Sequence, residues 1–240
     1  MSFKTISSKL AAQLDKELMG SDVGFTLEQL MELAGFSVAQ VVCKEFPRKP
    51  SQKNQVLVIA GPGNNGGDGL VCARHLKLFG YNPVVYYPKP TTKTAFYGQL
   101  VNQLKFFKVP VLGIDDDWSR YLTKADTLCI VDAIFGFSFK PPMRSPFDSI
   151  LQKIKESQEE VPIVAVDIPS GWDVDAGPTD STSITPKVLV SLTVPKPCAN
   201  FIDEAKTAHY VGGRFIPQDF ALKYGFEPFQ YASTDQTLKL

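Results

Sequence analysis

The segment Gly61-Pro-Gly-Asn-Asn-Gly-Gly-Asp-Gly69 packs five glycines and two adjacent amides into nine residues, a composition suited to holding an anion. Glycine exposes backbone N–H groups and permits positive φ, and the helix read as starting near Asp68 points its positive end into the loop. Gly61, Gly63 and Gly66 also satisfy G-x-G-x-x-G between a strand and a helix, the formal dinucleotide fingerprint. That fingerprint calls for an acid about twenty residues further on, where the second strand ends. Here the strand ends Tyr86-Tyr87-Pro88-Lys89, and no Asp or Glu occurs from Asn82 to Thr94, which argues against an ordinary dehydrogenase. No Gly-Lys-Ser/Thr closes the loop, which argues against a P-loop kinase. The plain alternative is a tight turn with Asp68 as helix N-cap.

Two more turns place carboxylates where a cation or a proton could be handled. Asp132 leads into Ala-Ile-Phe-Gly136, and Asp167 leads into Ile-Pro-Ser-Gly171. A carboxylate ending an apolar strand is a poor core choice unless paired or ligated. Cation ligation is therefore favoured over capping for Asp132, and a catalytic or ligand-contacting role over a structural one for Asp167. The Ser170 hydroxyl could complete an oxygen-only site suited to a hard cation; no His or Cys cluster offers a zinc site. The segment Gly136–Arg144 carries Lys140 and Arg144 and could lie over a ligand phosphate, with a solvated loop as the equal alternative.

These residues need a scaffold that brings three strand ends to one rim. The apolar runs Val56–Ala60, Pro83–Tyr87, Thr127–Val131, Pro162–Val166 and Val188–Val194 are nearly continuous, as in strands covered on both faces. Helical stretches lie between several of them, at about Asp68–Phe79, Lys93–Phe107 and Pro146–Glu156. This alternation predicts an α/β fold with a mostly parallel, doubly wound sheet, and ligands beyond the carboxyl ends of its strands. Ala208–Val211 could add an edge strand. Two helices come first, the second opening at Thr26 with Gln29 three residues on. One domain over 1–240 is expected.

Composition sets limits on partners. Lys plus Arg and Asp plus Glu number 25 each, so no global field draws the chain to nucleic acid or a membrane surface. Any anion must be held by local geometry. No apolar run approaches the roughly 20 residues that span a bilayer. Cys43, Cys72, Cys129 and Cys198 are widely spaced and read as free thiols in a reducing compartment. The segment Met1–Leu14 is free of acids but lacks Arg, and Asp15 and Glu17 follow in the same helical pattern. A cytoplasmic protein is the reading, with mitochondrial import as the minor alternative.

Several motifs occur in a fixed order: Leu30-Met-Glu-Leu-Ala-Gly35, the Gly61–Gly69 segment, Val131-Asp-Ala-Ile-Phe-Gly136, Val166-Asp-Ile-Pro-Ser-Gly-Trp-Asp173, Thr193-Val-Pro-Lys196 and Gly213-Arg-Phe-Ile-Pro217. Together they closely resemble the NAD(P)H-hydrate epimerases, the YjeF N-terminal domain family. The resemblance implies a Rossmann-like three-layer α/β/α sandwich, a homodimer and a bound potassium ion. It implies epimerisation of R-NADHX and R-NADPHX, hydrated nicotinamide cofactors, to the S forms that a partner dehydratase repairs. Substrate contacts would be Asn64, Asn65, Gly66, Gly67, Asp68, Gly136, Phe137, Ser138, Phe139, Lys140, Pro141, Pro142 and Asp167. Potassium ligands would be Asn65, Asp132 and Ser170. Inversion at a hemiaminal carbon needs a group that gives and takes a proton, and Asp167 is the residue expected to serve as that acid/base. The chain departs from many members at Gly136-Phe137-Ser138, where they carry Gly-Thr-Gly. A nicotinamide oxidoreductase and a non-catalytic nucleotide-binding or protein-binding module are the rival classes; animal members are also described as apolipoprotein A-I-binding proteins.

Overall fold

The computed structural model describes residues 4–50, 54–140, 142–179 and 183–240. The elements in chain order are α1 (Ser8–Leu18), α2 (Leu27–Glu45), β1 (Gln55–Ala60), α3 (Asn64–Leu78), β2 (Asn82–Tyr86), α4 (Ala95–Phe106) and β3 (Val111–Leu112). There follow β4 (Cys129–Ala133), α5 (Phe147–Ser157), β5 (Ile163–Val166), β6 (Val188–Leu192), β7 (Ala208–Gly212), α6 (Gln218–Lys223) and β8 (Thr237–Lys239). One sheet takes in all eight strands, in the order β3-β2-β1-β4-β5-β6-β7-β8. Every pairing is parallel except β7 with β8. The first six strands thus follow the Rossmann order, with the switch point between β1 and β4.

Continuous apolar strands arise because both sheet faces are covered. Val56, Val58 and Ala60 of β1 face a core shared with α2, α3 and α4. The alternate residues Leu57 and Ile59 face a second core shared with α5 and Trp118. Helix α1 lies apart from both, packing Leu14 and Leu18 against Val194, Tyr224 and Phe226. Helix α2 starts at the Thr26 capping box: Gln29 N–H donates to Thr26 Oγ1 at 3.2 Å, and Thr26 N–H donates to Gln29 Oε1 at 2.9 Å.

Three sequence expectations are corrected. Helix α3 begins at Asn64, four residues before Asp68, with Gly63 as its N-cap. The amides and most of the glycines are therefore the first turns of a helix, and Asp68 is not its cap. Strand β4 runs on to Ala133, so Asp132 lies within the strand, opposite Ile59 and Ala165, not beyond its end. Strand β7 is interior because β8, from the C-terminal end of the chain, pairs along its outer side. The short β3 and β8 have too few residues to show a periodic signal.

Candidate active site

The glycines at the switch point serve close packing. A Cβ on Gly61 would sit 1.8 Å from the Ile134 carbonyl oxygen, and one on Gly66 would sit 1.8 Å from the Gly61 oxygen. Gly67 abuts Met31, and Gly69 abuts Ala133. None of these four adopts positive φ. Only Gly63 faces open space, and as the N-cap it offers no side-chain hydrogen bond. The N–H groups of the first helical turn are thus left uncapped, and the positive end of α3 remains open to an anion.

That end opens into a cavity of about 1360 Å³, above the usual range for small-ligand pockets and roomy enough for a dinucleotide. Asn64, Asn65, Asp68, Gly136, Phe137, Ser138, Phe139, Lys140, Pro142 and Asp167, all expected substrate contacts, line it. Gly66 and Gly67 do not; they are buried within the helix turn. Pro141 lies outside the described residues. The rings of Phe135 and Phe139 stack at 4.4 Å and form an aromatic wall of the cavity.

Asp167 follows β5 in an unusual conformation. Its φ is 66°, and Ile168 N–H donates to Val166 O at 2.8 Å around it. The next strand ends the same way: Thr193 has φ 67°, and Val194 N–H donates to Leu192 O at 2.7 Å. Both are γ-turns with positive central φ, the rare strained form, and a β-branched residue such as Thr193 adopts it with special difficulty. The pair of turns brings Asp167 and Lys196 together. Lys196 Nζ donates to Asp167 Oδ1 at 2.5 Å and to Leu192 O at 2.8 Å, while Phe137 N–H donates to Asp167 Oδ2 at 3.0 Å. Asp167 is only 4% exposed and Lys196 only 3%, so this ion pair is dry.

Two more acids join them. Asp68, 8% exposed, projects from the second turn of α3, and Asp15 comes from α1. Burial drives the Asp68 carboxyl well above the usual carboxylate range, and the charges of Asp167 and Asp15 push the same way against Lys196. Burial likewise lifts Asp15 to about 6, with Lys196 opposing and Asp167 adding to the rise. Asp68 thus holds its proton more tightly than an ordinary carboxyl, beside the buried Asp167–Lys196 ion pair.

Asp132 and Ser170 do not line the cavity and are fully buried. Ser170 Oγ donates to Asp132 Oδ1 at 2.6 Å and accepts from Phe135 N–H at 3.0 Å, while Ser170 N–H donates to Asp132 Oδ2 at 2.8 Å. Burial raises the Asp132 carboxyl to about 6, with the Ser170 hydrogen bonds opposing. Asn65 lines the cavity, and among the described residues neither polar atom of its buried side chain has a hydrogen-bond partner. Gly136 separates it from Asp167: a Cβ there would meet Asp167 Oδ2 at 3.1 Å and Asn65 at 3.4 Å.

Sequence reasoning missed the roles of Asp15 and Lys196. Lys196 stands in the sequence only as the end of a short motif, and a lone acid in an amphipathic helix carries no signal of its destination. All four cysteines are free, three of them buried and Cys43 half-buried.

Known proteins are similar to this chain over most of its length. The model of the YjeF-related protein N-terminus matches residues 27–198. An NAD(P)H-hydrate epimerase of Saccharomyces cerevisiae is 67% identical over 242 residues, covering 99% of this chain and 98% of the relative. One from Schizosaccharomyces pombe is 45% identical, covering 100% of this chain and 97% of the relative. The crystal structure of yeast ynu0 superposes with a TM-score of 0.97 at 67% identity, covering 99% of this chain and 100% of that one. The chain belongs to the YjeF N-terminal family.

Proposed function

We propose that this chain is an NAD(P)H-hydrate epimerase, an isomerase that converts the R forms of NADHX and NADPHX to the S forms. The observation that carries the reading is a dinucleotide-sized cavity in which Asp68, its carboxyl raised by burial, stands beside the buried Asp167–Lys196 pair. The relatives' name supplies the substrate. In such a substrate the hydroxyl sits on a ring carbon bonded to nitrogen. That centre inverts if water leaves, giving an iminium ion, and returns to the other face; ring opening and closure is the second route. Either route needs a proton given and taken near that carbon.

Asp68 brings the proton and Asp167 the negative charge. The Asp68 carboxyl protonates the departing hydroxyl, the C–O bond breaks with its electron pair leaving on water, and the ring nitrogen supplies the electrons of the iminium. Asp167 steadies that cation and takes a proton from the water that adds at the opposite face. Exchange of a proton between the two coupled carboxyls restores the starting state. Lys196 holds Asp167 in place. The uncapped α3 terminus, with Lys140 and Arg144, serves the phosphates.

The donors fit a potassium ion. Asn65 has a buried carbonyl without a partner, the other donors are hydroxyl and carboxylate oxygens, and one carboxylate balances one positive charge. Among the described residues no group of three His, Cys, Asp or Glu suggests a transition metal. Asn65, Asp132 and Ser170 would hold the ion, which would supply fixed positive charge that orders the Asp132–Asp167 rim. A homodimer, a dehydratase that consumes the S product, and residence in the cytoplasm complete the proposal. Among the described residues no helix is long and apolar enough to cross a membrane.

Purified chain given mixed R and S hydrate should bring the R form to its equilibrium share. Asp68→Asn and Asp167→Asn should each slow that conversion by about 10²–10⁴-fold, the usual worth of a positioned acid or base. Saturable nucleotide binding without any change in the R-to-S ratio would mark a binding module. Hydride transfer from NADH to a panel of carbonyl compounds would mark an oxidoreductase.

A further inference from the structure

The cavity holds more positive charge than its acid-bearing end uses. Lys196 is taken up by Asp167 and Lys16 adjoins Asp15 on α1, yet Lys89, Lys93, Lys140 and Arg144 also line the cavity. All four are exposed, and none has an ion-pair partner among the described residues. They come from both sides of α3. Strands β2 and β4 flank β1; Lys89 and Lys93 follow β2, and Lys140 and Arg144 follow β4. Among the described residues Asp15, Asp68 and Asp167 are the only acids lining the cavity, so its unpaired cations stand apart from its acid-bearing end.

Lys89 and Lys93 stand at a position with a defined meaning. In the first βαβ unit of a dinucleotide-binding sheet, an acid at the end of the second strand accepts hydrogen bonds from the adenosine ribose hydroxyls. A basic residue nearby instead accommodates a 2′-phosphate. This chain has the Rossmann strand order through β6 and no acid anywhere from Asn82 to Thr94. Two lysines and the hydroxyl residues Thr91 and Thr92 occupy the segment and line the cavity. Helix α4 begins directly after it, with no side-chain cap at Thr94 and no acid in its first turn.

We propose that Lys89 and Lys93 form a subsite for the 2′-phosphate of the phosphorylated dinucleotide, so that the enzyme favours NADPHX over NADHX. The identity of the ligand rests on the epimerase reading. The charge division also sets the orientation: the adenosine end lies at the β2–α4 segment, and the damaged nicotinamide ring lies among Asp68, Asp167 and Lys196.

Binding separates this proposal from the catalytic one. Calorimetric titration of the full chain with NADP⁺ and with NAD⁺ should show tighter binding of NADP⁺ by about tenfold, a difference of about 1.4 kcal/mol. Lys89→Gln with Lys93→Gln should bring the ratio of the two affinities close to one, whereas Lys89→Arg with Lys93→Arg should keep most of it. Raising the salt concentration should compress the ratio in the unaltered chain, because the lysines are exposed. Equal affinities in the unaltered chain, or a ratio untouched in the double glutamine variant, overturns the subsite; so does an equal weakening of both ligands, which would assign the lysines to phosphates that both share. Conversion assays with R-NADHX and R-NADPHX complete the distinction. Preferential NADP⁺ binding without epimerisation sinks the catalytic reading and leaves the subsite standing, and epimerisation without preference does the reverse.

Discussion

Replacing Lys196 with methionine removes one buried charge while keeping an apolar stem of similar length. In the native chain the ammonium lies 2.5 Å from Asp167 Oδ1, with both side chains almost wholly out of water. Loss of one partner from such a pair strands the other charge, at about 3–5 kcal/mol. The Phe137 N–H would remain on the other carboxylate oxygen, a partial compensation of about 1 kcal/mol. Leu192 O would lose its 2.8 Å donor, an opposite change of about the same size. The net loss is therefore about 3–5 kcal/mol, which for a chain of this size lowers Tm by about 6–20 °C. Urea unfolding at neutral pH measures it, with the slope of the transition unchanged. Adding Asp167→Asn should recover most of the deficit by removing the stranded charge. The deficit of the single variant should also narrow as pH falls, because a protonated carboxyl is cheaper to bury than a charged one. A single variant that loses less than about 1 kcal/mol, or a double variant no more stable than the single, would show that water reaches this pair.

The glycines separate by what they face. Gly61→Ala drives a methyl into the Ile134 carbonyl and should destabilise by about 3 kcal/mol or more, whereas Gly63→Ala meets nothing and should leave thermal stability within about 1 kcal/mol. If the potassium assignment holds, KCl should raise Tm above an equal concentration of choline chloride, and Asn65→Ala should remove the difference; an equal response in the variant refutes Asn65 as a ligand. Asp15, lifted to about 6 chiefly by burial, binds its proton more tightly in the folded than in the unfolded chain. Its favourable contribution is full below its unfolded value near 4 and is lost as pH rises through about 6. Stability curves of the native chain and Asp15→Asn should therefore diverge across that window, with the native chain the one that weakens towards pH 6; parallel curves would count against desolvation of the half-buried Asp15.

Much of the scaffold was readable because parallel strands buried on both faces leave continuous β-branched runs that few other structures need. The runs at Val56 and Pro162 and the capping box at Thr26 fall close to where local chemistry placed them. Ends of elements were less legible. A helix can begin at Asn64 through three glycines because tertiary packing demands them: Gly66 against Gly61, Gly67 against Met31 and Gly69 against Ala133. Local propensity alone reads the same residues as a loop.

For the site, the sequence alone indicated which oxygen-bearing residues would gather near the carboxyl ends of neighbouring strands. Asp132, Asp167, Ser170 and the two asparagines follow or close apolar strands, and the strand-end rule of α/β folds gathers such residues without further information. Tertiary structure alone decided how each would behave. It buried Asp132 under Ser170, seated Lys196 on Asp167 across two strained turns, and drew Asp15 in from a helix outside the sheet. It also set Asp68 in the second turn of α3, where burial raises its carboxyl well above the usual range. Protonation depends on desolvation and on charges contributed by residues distant in sequence, here positions 15, 68, 167 and 196. No local pattern encodes that sum.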